Sequence, residues 1–102
     1  LLTKRHLAVI RAALRFFDEE MSPHGPDVSK HYFDEPLESD LTADEVRQLR
    51  ELLRICELRY ACCDRTGTSL IRQELLTTPE DVRNAMNISF GRIASVLLAP
   101  ES

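Results

Sequence analysis

Three cysteines and three histidines are the residues best equipped for chemistry in this 102-residue chain. Cys56, Cys62 and Cys63 sit within eight positions of one another. With a histidine they could form a soft-metal site or a redox-sensitive thiol cluster. The spacings give little support. There is no C-x-x-C, no H-x-x-x-H and no H-E-x-x-H, and His6, His24 and His31 are scattered. An odd cysteine count with no secretory leader fits reduced thiols in a cytoplasmic protein. The reading preferred here is that the thiols are packing residues and the histidines surface or boundary residues. A thiol- or metal-dependent regulator built on Cys56, Cys62 and Cys63 is the alternative. Nothing resembles a phosphate-binding glycine loop, a Ser–His–Asp set or paired catalytic carboxylates, so the chain reads as a non-enzyme with no cofactor.

The charge is unevenly spread. The total is −4, but residues 1–17 carry Lys4, Arg5, Arg11 and Arg15 and no acid, whereas residues 18–45 carry ten acids and only Lys30. Lys4, Arg11 and Arg15 share one helical face that could meet phosphates, which gives a second alternative, a nucleic-acid accessory protein. The acidic balance and the acidic stretch that follows would repel a polyanion, so this role is disfavoured.

The elements that must position these groups read as helices. Thr3 can cap a first helix over 4–21, with Leu7, Ile10, Leu14, Phe17 and Met21 as its inner stripe. Ser22-Pro23 and Gly25-Pro26 end it. Residues 22–41 form a long, partly structured connection in which Asp27 could cap a short helix, with Tyr32 and Phe33 as anchors. The second long helix is expected over 43–65. Thr42 and Glu45 make a T-x-x-E capping box, and Leu41 and Val46 occupy the positions of a hydrophobic staple. No breaker appears before Gly67, the expected glycine stop. Val46, Leu49, Leu53, Cys56, Tyr60 and Cys63 form one stripe, and Ile55, Leu58 and Cys62 lie on the opposite side. Near this helix end the dipole disfavours a thiolate at Cys62 and Cys63.

Beyond Gly67, residues 69–76 read as a short helix, with an extended segment as the alternative. Thr78 as N-cap, Pro79 at N1 and two acids then announce a last helix over 79–98. Its stripe is Val82, Met86, Phe90, Ile93 and Leu97. Gly91 costs about 1 kcal/mol there relative to Ala. Asn87-Ile88-Ser89 matches a glycosylation sequon by chance. No apolar run is long enough to cross a membrane.

The expected architecture is therefore all-α: one domain, a small three- to four-helix up-and-down bundle with a long connection between its first two long helices. Two of those helices carry apolar residues off their core stripes. Val9 and Phe16 do so in the first, and Ile55, Leu58 and Cys62 in the second. A surplus of this kind marks an interface. The leading expectation is a non-catalytic interaction or regulatory module that forms a homodimer through these five residues.

Overall fold

A computed structural model of the chain describes residues 1–85 and 91–100. They fall into two compact units, Arg5–Ile55 and Leu1–Lys4 together with the chain from Cys56 on. The elements in order are α1 (Lys4–Phe16), a π-helical turn (Phe17–Met21), a 3-10 turn (Ser22–His24), α2 (Pro26–Ser29), a 3-10 turn (Lys30–Tyr32), α3 (Ala43–Ile55), β1 (Glu57–Asp64), α4 (Pro79–Ala85) and β2 (Gly91–Leu98).

The all-α helical bundle expected from the sequence is overturned: the chain is mixed, with a two-stranded antiparallel sheet. α3 stops at Ile55 rather than near residue 65, and Glu57–Asp64 is a strand. The residues that looked apolar on both sides of a helix are apolar on both faces of a strand. Leu58, Tyr60 and Cys62 alternate with Ala61 and Cys63, and all five are buried. A strand covered on both faces shows no polar alternation, so period alone does not separate it from a buried helix. The long last helix fails for a related reason. α4 ends at Ala85, and Gly91–Leu98 pairs with β1. Gly91 opens that strand, and β-branched Ile93 and Val96 suit a pleated surface better than a helix. Residues 69–76 are not helical: they are irregular and meet β1 at two isolated bridges, Cys63 with Leu70 and Tyr60 with Leu76. Met86 and Phe90 of the expected stripe, and the Asn87–Ser89 sequon, lie outside the described residues.

β1 is the middle of the second unit. On one side it runs against β2, with Glu57 opposite Leu98 and Asp64 opposite Gly91. On the other it holds the 69–76 segment through Tyr60 and Leu76, each donating its N–H to the other's carbonyl at 2.7 and 2.8 Å. Asp64 N–H to Ser69 O and Ile71 N–H to Cys62 O, both 2.9 Å, hold its other end. The N-terminus is pinned to the same sheet. Tyr60 and Ser95 are a cross-strand pair. The Tyr60 hydroxyl donates to Leu2 O at 2.6 Å, and Leu2 N–H donates to Ser95 Oγ at 2.9 Å. α4 supplies Val82, which is wholly buried. Its start is as the sequence announced, with Asp81 N–H donating to Thr78 Oγ1 at 3.1 Å.

The turn leaving β1 is organised by Asp64. Its carboxylate accepts from Thr68 N–H at 3.0 Å and from the hydroxyls of Thr66 and Thr68 at 3.0 and 3.1 Å. Gly67 N–H bonds Asp64 O at 3.1 Å, and Gly67 takes φ +75°. Those donors hold the Asp64 carboxyl below its ordinary value, the Thr68 backbone N–H contributing most. A group with a lowered folded pKa adds stability above its unfolded pKa of about 3.9, and that stability disappears as the pH falls through the folded value.

Urea melts across the acid range test this turn. Asp64→Asn should be less stable than the parent at neutral pH, and the gap should close once the parent's carboxyl is protonated. A gap that is unchanged down to the acid limit would contradict the assignment. Gly67→Ala should cost about 1 kcal/mol at any pH. An added Cβ would meet nothing nearer than Arg92 Nη1 at 4.0 Å, so the cost is backbone conformation and not a clash.

Candidate interaction surface

In the Arg5–Ile55 unit, two sets of contacts join α1 and the turn after it to α3. Arg11 Nε donates to Leu53 O at 2.7 Å. Further along α1's direction and back along α3, Arg50 reaches Asp18 at 2.9 Å and Glu19 at 3.3 Å. The first contact satisfies one of the four carbonyls that every helix leaves unpaired at its C-terminus. The second is partly sheltered: the Asp18 side chain is 13% exposed and that of Arg50 33%. Hydrogen bonding to Asp18 is the main reason that the Arg50 pKa rises above its ordinary value.

α3 begins on the capping box read from the sequence. Glu45 N–H donates to Thr42 Oγ1 at 3.1 Å, and Thr42 N–H donates to Glu45 Oε1 at 3.3 Å. The connection between the helices is anchored by one aromatic rather than two. Phe33 meets Phe17 edge-on at 6.5 Å, whereas Tyr32 is exposed with His31 against its ring. The short helix there starts at Pro26, with Gly25 in the cap position rather than Asp27.

These contacts decide what the charged face of α1 does. Arg11 is spent on the end of α3, and Arg15 donates to Glu19 at 3.1 Å. Two of the three cations proposed for phosphate contact therefore have intramolecular partners.

The five residues expected at an interface separate into two groups. Val9 and Phe16 on α1 are 62% and 60% exposed, and Ile55 at the end of α3 is also exposed. Val9 and Phe16 are seven apart and share a face. α3 adds Leu49 and Leu52, both exposed. Leu58 and Cys62 belong to β1 instead, where they are buried within one chain. Leu49 was placed in the core stripe by its spacing. Its exposure could have been suspected from the many charges around it, Arg47, Arg50 and Glu51 among them.

The cysteines do not converge. All three are buried and none is in a disulfide, and as neighbours on a strand Cys62 and Cys63 point to opposite faces. Cys63 Sγ donates weakly to Arg92 O at 3.4 Å. Cys62 and Cys63 lie in a strand, so the expected helix terminus does not act on either thiol. His6, His24 and His31 are exposed. Among the described residues, no three of His, Cys, Asp and Glu are placed to hold a metal ion. No helix among them is long and apolar enough to cross a membrane.

Burial makes a simple expectation for the thiols. The native protein should react slowly with a thiol-specific disulfide reagent, and three equivalents should titrate rapidly after denaturation. Fast native labelling of Cys62 or Cys63 would show that the strand opens. Compared with protein-family models, curated proteins and solved structures, the chain matches none.

Proposed function

We propose that this chain is a non-catalytic protein–protein interaction module that self-associates as a homodimer. The observation that carries the reading is the apolar surface on the helical unit. α1 presents Val9 and Phe16, and α3 presents Leu49, Leu52 and Ile55. Single exposed apolar residues are ordinary, but repeated ones at helical spacing on two adjacent elements form patches, and patches mark binding surfaces. A second copy is the partner of choice because closed two-fold pairs are the commonest soluble assembly. Leu58 and Cys62 have no part in such a surface, since β1 buries them.

Light scattering coupled to size exclusion, over a concentration series, tests the reading. The parent should move from monomer to dimer mass as concentration rises. Phe16→Asp should shift that transition to higher concentration with an unchanged far-UV spectrum. A parent that stays monomeric throughout would end the proposal.

A further inference from the structure

Among the described residues nothing hydrogen-bonds the outer edge of β2, and the geometry of that edge is self-complementary. In an antiparallel ladder the N–H and C=O of successive residues point alternately to the two neighbours. Tyr60, Cys62 and Asp64 direct theirs to the 69–76 segment. The odd-numbered residues of β1 must therefore bond β2. Their partners are Leu98, Val96, Ala94 and Arg92. It follows that Ile93, Ser95 and Leu97 point their backbone groups away from β1. Among the described residues no hydrogen bond reaches those groups. Ser95 and Leu97 are exposed.

Protein edges are usually blunted by Pro, Lys, a bulge or brevity. β2 is eight residues long, GRIASVLL, with no proline, no lysine and one charge, Arg92. We infer that β2 pairs antiparallel with β2 of a second copy, making one continuous sheet across the dimer. This rests on the self-association proposed above and assigns the surface that sets its register.

The pairing rules restrict that register. A two-fold axis perpendicular to the sheet keeps each face on one side, so odd residues meet odd. With the axis at Ser95, the outward groups of Ile93, Ser95 and Leu97 meet those of Leu97, Ser95 and Ile93 of the second copy. Ile93 then lies beside Leu97 on the same face, once at each end, as apolar cross-strand pairs do. Centring on Ala94 would set Ile93 against Ser95 instead and lose both apolar pairs. Charge does not oppose a second copy. In the Ser95 register the two Arg92 residues are six positions apart along the strands, about 20 Å. That is well beyond the screening length of about 8 Å at physiological salt.

Residue-resolved amide exchange on the full chain, at concentrations below and above the dimer transition, reads the edge directly. The amides of Ile93, Ser95 and Leu97 should gain protection only in the dimer. Those of Ala94 and Val96, bonded to β1, should be protected at both concentrations. Leu97→Pro removes an outward N–H and no bond to β1, so the dimer mass should be lost while the Ala94 and Val96 protection remains. Leu97→Lys asks the same question without constraining the backbone, should the proline variant fail to fold. A dimer that forms with Ile93, Ser95 and Leu97 still exchanging freely, and that survives Leu97→Lys, would overturn the β2 pairing and leave the helical surface as the interface. Absence of any dimer would overturn both proposals.

Discussion

Backbone hydrogen bonding on both sides of β1 is the interaction on which the second unit depends. One strand supplies backbone partners to β2 on one edge and to the 69–76 segment on the other. Among the described residues it also supplies most of that unit's buried side chains, Leu58 to Cys63 with only Arg59 left partly open. Each buried peptide group must find a partner, because an unpaired one costs roughly 1–3 kcal/mol. The strand can therefore be buried only when both neighbours are in place. The N-terminal residues join the same arrangement through the Tyr60–Ser95 pair, which grips Leu2 by its carbonyl and its N–H together.

The helical unit is held differently. Its order comes from short-range capping and from arginines that span α1 and α3. Arg11 closes a helix end, and Arg50 draws Asp18 and Glu19 against α3. Few of its apolar side chains are fully buried, Leu7 and Val46 being the two, and that leaves the surplus on its surface. The same scarcity of core explains why the exposed residues on α1 and α3 are its most informative surface feature.

What could be read in advance follows the range of the interactions. Thr42 with Glu45 and Thr78 with Asp81 are local signals, three residues across, and both were legible and correct. The first helix was also legible as helical through Met21, its last turn being π-helical. The strands were not legible, because their partners lie far away in the chain: Glu57 meets Leu98. No glycine or proline separates Ile55 from the strand, and an apolar run of this length suits either a buried helix or a buried strand. Gly91 is a local signal for β2: it opens the strand, and inside a helix it would carry a cost. The residues expected at an interface are exposed where the helix is real, at Val9, Phe16 and Ile55. They lie inside where the expected helix is a strand, at Leu58 and Cys62.

The Glu57–Leu98 pairing also sets an order of events during synthesis. Capping boxes and helix pairs close within stretches that leave the ribosome early, whereas β1 must wait for β2. The 34 residues between the ends of the two strands take about 2–7 s to add at typical elongation rates of 5–20 residues per second. During that interval an apolar strand is present with one of its two neighbours still unmade. The polar turn around Asp64, which folds on local bonds alone, can bring the 69–76 segment to the first edge well before the second arrives. The nascent chain thus has a built-in means of covering one edge of β1 before its final partner exists.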